Sequence, residues 1–338
     1  ATGENLGALI EGGSTNLATW SEEFSNTAYI KSGTTVTTNT ITAPDGTLSG
    51  DKVNDDVSNG VHRILTSAGI PISTTTETTY SIYAKADGIT EVKLTDNDLG
   101  AGIVVNLLNG EIISGTGNVK SAGNGWYRIS HSKINSTGTG RIVVLLSVNG
   151  SQSYVGTNSG VYIWGAQLEA LPFASSYIRT EGAAVSRSGD NLSLPSAGNF
   201  NASEYSVNVE FKISNIVRTR SNSAYLYSIN DGTNANRIIN LISSEKNRIL
   251  NSVGVDFSNP SLLVNGTTYK STSTFISDTV TGYEDDAFFG SRSPYPTVSP
   301  LTTINIGASI SSSFLIFGHI SKFATYDKAL TAQEITLL

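Results

Sequence analysis

The side chains gathered tightly enough to suggest chemistry in this 338-residue chain are carboxylates. Asp96-Asn97-Asp98 and Glu284-Asp285-Asp286 are the two clusters. Calcium takes about six to eight oxygens from carboxylates, carbonyls and Asn side chains, and either cluster could supply some. Neither has the Asp-x-Asx-x-Asx-Gly spacing of a calcium loop, and the plain alternative is a solvated turn. Asp96, Asp98 and Asp286 are therefore weak metal candidates, and no cofactor is expected beyond a structural calcium.

Glycoside hydrolysis makes a different demand on carboxyls. Two must flank the bond, one of them hard to ionise so that it acts as an acid. Sandwich glycanases often place such a pair as Glu-x-Asp-x-x-Glu, a string this chain lacks. Glu204 and Glu210 do not fit it, and Glu210 alternates with Val207, Val209 and Phe211 as a solvent-facing strand residue does. Gly12-Gly13-Ser14-Thr15-Asn16 misses the Gly-x-Ser-x-Gly elbow at its last position. His62, His131 and His319 are too scattered for a metal pair. No catalytic residue can be named. Two close carboxyls lining a cleft, one resisting ionisation, would reverse that reading.

A third kind of chemistry is recognition. Tyr283, Phe288, Phe289, Arg292 and Tyr295 surround the second acidic cluster. Aromatic rings stack on the C–H faces of sugars, while carboxylates and amides bind hydroxyls. Tyr283, Asp285, Asp286, Arg292 and Tyr295 are the carbohydrate-binding candidates. Core packing and a subunit contact are the competing roles for the aromatics. Phe288 and Phe289 cannot both face inward on one strand.

These residues must be carried by strands. Alternating β-branched segments recur, such as 79–85, 125–132, 141–148 and 206–213, separated by Gly, Asn, Asp and Ser. That pattern predicts an all-β chain of two tandem jelly-roll sandwich domains. Tyr80, Ile82 and Ala84 should share one sheet face. Asp45-Gly46, Asn109-Gly110, Asn149-Gly150 and Asn265-Gly266 read as hairpin turns. Trp126 and Trp164, in alternating patterns, read as core, and Trp20 as a plug at one end of a sandwich. Thr331-Ala-Gln-Glu334 is a capping box, flanked by Leu330 and Ile335 as a hydrophobic staple, and predicts a short C-terminal helix. The boundary falls near 186–192, giving domains 1–187 and 188–338.

Composition narrows function. Cysteine is absent, which removes disulfides and thiolate chemistry. Net charge is −7, against nucleic-acid binding, which needs concentrated Lys and Arg. No apolar run approaches the ~18 residues of a membrane span. Without methionine the initiator is missing, so a processed chain or a piece of a longer one is expected.

Several phrases carry a resemblance. Asn16-Leu-Ala-Thr-Trp-Ser-Glu-Glu-Phe-Ser25, Ser81-Ile-Tyr-Ala-Lys-Ala-Asp87, Gly123-Asn-Gly-Trp-Tyr-Arg-Ile-Ser130, Gly160-Val-Tyr-Ile-Trp-Gly-Ala-Gln-Leu-Glu169 and Ser176-Tyr-Ile-Arg-Thr180 occur in that order. Together they resemble carbohydrate-binding-module-like jelly rolls of bacteriophage tail fibres. Tyr205-Ser-Val-Asn-Val-Glu-Phe-Lys212, Ile304-Asn-Ile-Gly307 and the stretch from Gly318 to Ile335 are similar to concanavalin A-like, laminin-G-like modules. Residues 218–300 match no pattern. The resemblance implies a phage tail fibre or receptor-binding protein, assembled in the host cytoplasm and carried on the virion tail. It implies binding to bacterial surface polysaccharide, contact with other virion tail proteins, and a homotrimer. Such modules often hold calcium. A capsule-degrading glycosidase or lyase, and a structural virion adaptor, are the alternatives.

Overall fold

The computed structural model describes residues 7–96, 102–199, 203–213, 223–233, 237–251, 256–293, 301–308 and 318–338. Almost every regular element is a strand, and the helix Ala332–Ile335 follows the last one. The chain divides into two compact units, one of residues 14–187 and one of 188–338 joined by 3–13. The segment before Ser14 therefore departs from the sequence-based boundary. The reason is hydrogen bonding. Strand Ala8–Ile10 pairs antiparallel with Gly318–Tyr326, and Ile10 is buried in the second core.

In the first unit two six-stranded antiparallel sheets face each other. One runs 112–115, 103–106, 91–95, 143–147, 63–66, 29–32 in spatial order, the other 118–123, 126–134, 77–87, 160–169, 48–55, 34–42. Tyr80, Ile82 and Ala84 are fully buried between them, opposite Val92, Leu94 and Leu146. The alternation that puts them there follows from the period of two along a strand.

Trp126 and Trp164 are also buried, but they join Ala43, Tyr83 and Tyr177 in a separate cluster. Register explains it. Tyr127 and Ile129 pair with Ala84 and Ile82 on the core side, so Trp126 and Tyr83 point the other way. The second sheet is thus apolar on parts of both faces. Each indole N–H still finds an acceptor, Thr42 O at 3.1 Å for Trp126 and Ser49 Oγ at 2.9 Å for Trp164. Trp20 is half-buried against the main core at a positive φ of 56°, its amide bonded to Glu181 O.

The second unit repeats the layout with different strands. One sheet runs 8–10, 318–326, 204–213, 268–276, 279–284, 287–292, the other 192–195, 303–306, 224–230, 237–243, 246–251, 256–258. Val207, Val209 and Phe211 line its core with Leu226, Ile229, Ile249 and Val280. Glu210 sits on the opposite face, 3.6 Å from Lys322 Nζ. The capping box forms: Glu334 N donates to Thr331 Oγ1 and Thr331 N to Glu334 Oε2, with Leu330 and Ile335 buried on either side. No helix among the described residues is long and apolar enough to cross a membrane.

Candidate functional site: a groove beside an acidic hairpin

Strands Thr279–Glu284 and Ala287–Arg292 form a hairpin whose two-residue turn is Asp285-Asp286. Both turn residues have positive φ, 48° and 68°, the geometry that matches the right-handed twist of the flanking strands. Glycine usually occupies such turns; Asp tolerates them because its short side chain can bond locally. Here Asp285 Oδ1 accepts from Lys270 N at 2.8 Å, and Asp286 Oδ1 pairs with Lys270 Nζ at 2.6 Å. One lysine thus fastens the turn through backbone and side chain.

Alternation along the hairpin sends its aromatics to different places. Phe289 turns inward, 5.7 Å from the ring of Phe257, over the bare α-carbon of Gly282. Phe288 turns out and is 62% exposed, with Tyr283 edge-on at 6.0 Å. Ala287–Arg292 and Asp256–Ser258 are the edge strands of their sheets, and the loop after the latter bends back past the hairpin. Between loop and hairpin lies a groove of about 450 Å³. Its walls include Asn259, Leu262, Tyr269, Glu284, Asp285 and Phe288.

Glu284 and Asn259 are the buried polar groups of that wall, each only 7% exposed. Glu284 Oε1 accepts from Asn259 Nδ2 at 2.5 Å, and its Oε2 has no hydrogen-bond partner. Burial pushes its carboxyl above the ordinary carboxylate range, against the opposing amides of Asn247 and Asn259 and with help from the negative Asp285. Asn259 is itself fixed, since its Oδ1 accepts from Ser261 N and its own N–H donates to Asn247 O. Tyr269 stacks on Phe211 at 5.9 Å and accepts from Val264 N, which leaves its hydroxyl proton free to donate.

Glu284 and Asp285 meet the warning set out above: two carboxyls at one groove, one hard to ionise. Their placement does not suit hydrolysis. Glu284 faces the sheet interior opposite Ser271, and its free oxygen is shielded from solvent. Asp285 heads the turn with its carboxylate on the Lys270 amide. Adjacent residues that diverge in this way cannot take the two sides of one glycosidic bond, as an acid and its partner must. They are acceptors of hydrogen bonds.

The sequence candidates do not all converge. Asp285 lines the groove, Tyr283 and Asp286 sit on the outer face beside it, and Arg292 is opposite Val280 at the far end of its strand. Five steps of ~3.3 Å place Arg292 about 17 Å from Ala287, where the strand leaves the turn. Tyr295 and Asp98 lie outside the described residues. Asp96 Oδ2 is 2.8 Å from Lys133 Nζ, so ammonium groups hold both Asp96 and Asp286 where a cation would bind. Among the described residues no group of three or more His, Asp or Glu gathers as a metal site would require. Ser14 Oγ donates to the buried Glu169 at 2.6 Å, a structural bond and not a nucleophile's. Sequence reading missed Asn259, Leu262 and Tyr269, and named Glu284 only as part of the acidic cluster without its inward orientation. A register count from Gly282 could have found only the last.

No family model matches this chain, and no curated protein matches it. Among solved structures it is similar to the CBM40 of Ruminococcus gnavus IT-sialidase bound to α2,3-sialyllactose. The identity is 9% and the TM-score 0.35, over 40% of this chain and 83% of that one. It is similar also to domain 4 of an extracellular arabinanase from Geobacillus stearothermophilus, in complex with arabinotriose: 14% identity, TM-score 0.38, 48% and 81% coverage. A third is the binding domain of botulinum neurotoxin serotype D, with 14% identity, TM-score 0.34 and 45% and 40% coverage.

Proposed function

We propose that this protein binds a polysaccharide on a bacterial surface and does not cleave it, and that it does so as part of a phage tail fibre. The observation that carries the binding is the groove. An exposed ring, Phe288, lines it together with a turn carboxylate, Asp285, and a hydroxyl donor, Tyr269. Sugars present an apolar C–H face and a rim of hydroxyls, and this wall offers a partner for each. The absence of cleavage rests on the burial of Glu284 and on the divergence of its neighbour. The tail-fibre setting, the trimer and the contact with other virion proteins are supported by the ordered phrases between residues 16 and 180 and by the closing stretch 318–335. A trimer would add avidity to weak single sites.

The test uses the full chain, fluorescently labelled, on intact bacteria and on purified capsular polysaccharide. Saturable binding, weakened at least tenfold by Phe288→Ala, with polymer size unchanged after long incubation, is the expected result. Shortened polymer, or binding indifferent to Phe288→Ala, overturns the proposal.

A further inference from the structure

The charge of the groove sets which sugars can enter it. Its walls hold Glu284 and Asp285, and among the described residues no Lys, Arg or His lines it. The neighbouring cation is Lys270, and its ammonium is already 2.6 Å from Asp286 on the outer face, with a carbonyl, Ile335 O, as a further partner at 3.4 Å. A ligand anion would therefore meet acidic oxygens with no free positive charge to compensate them. Glu284 adds negative charge behind that wall without offering its oxygens: it is buried, its Oε1 is taken by Asn259 and its Oε2 is shielded from solvent.

Resting on the saccharide reading above, we infer that the groove takes uncharged, hydroxyl-rich saccharides and rejects those whose entering residue carries a carboxylate, sulfate or phosphate. Hydroxyl donors of a neutral sugar face Asp285 while its C–H face rests on Phe288. A uronate or sialate would bring like charge to Asp285, and mismatched charge at an interface is a common means of exclusion.

Calorimetric titration of the full chain against two panels tests this. One panel holds neutral oligosaccharides of glucose, galactose and mannose; the other holds oligogalacturonate and sialyllactose. Neutral ligands are expected to bind at least tenfold tighter, about 1.4 kcal/mol. The gap should narrow at least threefold in Asp285→Asn and disappear with binding itself in Phe288→Ala. Acidic saccharides that bind as tightly as neutral ones, and lose binding in Phe288→Ala, overturn the charge selection while the groove remains a saccharide site. Binding of neither panel, or binding untouched by Phe288→Ala, removes the saccharide site and the selectivity with it.

Discussion

Replacing Glu284 with Gln exposes what its buried carboxyl does to the fold. The side chain keeps its shape and its Oε1, which still accepts from Asn259 Nδ2. What changes is charge. A hydrogen bond to a charged group contributes about 1.5–3 kcal/mol and a neutral one about 0.5–1.5, so roughly 1 kcal/mol is lost there. Against it stands the unpartnered Oε2, a buried charged atom whose desolvation costs about 1–3 kcal/mol. Gln also puts an NH2 where that oxygen was, a buried donor beside the Asn247 amide and without an acceptor, at a similar cost of about 1–3 kcal/mol. The balance makes Glu284→Gln about 1 kcal/mol less stable than the parent near neutral pH, a Tm fall of about 2–4 °C. The pH dependence has a definite sign. Burial raises the carboxyl in the folded state, so the native protein binds its proton where the unfolded chain has released it. The contribution of Glu284 to parent stability is then greatest below the ordinary value of 4.5 and is lost as pH rises through the raised one, whereas Gln cannot titrate. Tryptophan fluorescence would not report this, since Trp20, Trp126 and Trp164 all belong to the first unit. Scanning calorimetry at pH 5 and pH 7.5, with hydrogen exchange of residues 279–292, would. A variant that loses more than about 2 kcal/mol at neutral pH, or a gap between the proteins that stays constant with pH, refutes the reasoning.

Phe288→Ala should leave the melting temperature within about 1 °C, because a ring 62% exposed contributes little burial, and calorimetry checks that the binding tests read a folded protein. His62→Leu should destabilise the first unit by about 2 kcal/mol, read by urea unfolding with tryptophan fluorescence. The buried ring sets Nδ1 2.7 Å from Gly33 O and Nε2 3.2 Å from Tyr154 O, its one N–H when neutral donates to one of them, and Leu removes that buried bond. Deleting residues 1–13 should strip the start of the Gly318–Tyr326 strand of its outer partner, leaving its pairing with Glu204–Ile213 and a newly bared edge at 318–320, with light scattering showing aggregation at concentrations where the full chain is clear. Lys328 and the Thr331 amide hold Glu334 at about 2 in the folded chain, so the stability from the C-terminal cap is present above 4.5 and lost as pH falls toward 2. Hydrogen exchange of 331–338 across that window should show the helix fraying ahead of the sheets.

Much of the framework was legible because it depends on local periodicity. Tyr80, Ile82 and Ala84 fall on one face as their spacing requires, and the Thr331–Glu334 box closes as four residues dictate. The pair Phe288–Phe289 splits between surface and core for the same reason. Turns were half legible. Asn149-Gly150 has both residues at positive φ, but Ser244-Glu245 and Asp285-Asp286 adopt the same geometry without glycine, so their sequence carries no mark of it. The groove was the least legible part. Asn259 and Glu284 meet only because the Asp256–Ser258 and Ala287–Arg292 strands end up at neighbouring sheet edges, and nothing in a local pattern encodes that pairing. Arg292 joined the candidates by sequence proximity, yet six extended residues carry it away from the turn.

Strand Ser14–Asn16 lies antiparallel to Val185–Arg187, with Ser14 directly across from Arg187. The polypeptide thus enters and leaves residues 14–187 through points about 5 Å apart, and the second unit draws on chain from both before and after them. In genetic terms the first unit is an interchangeable cassette. A different domain with closely spaced ends could be spliced between Gly13 and Ser188, and the host sandwich would keep every strand it now has.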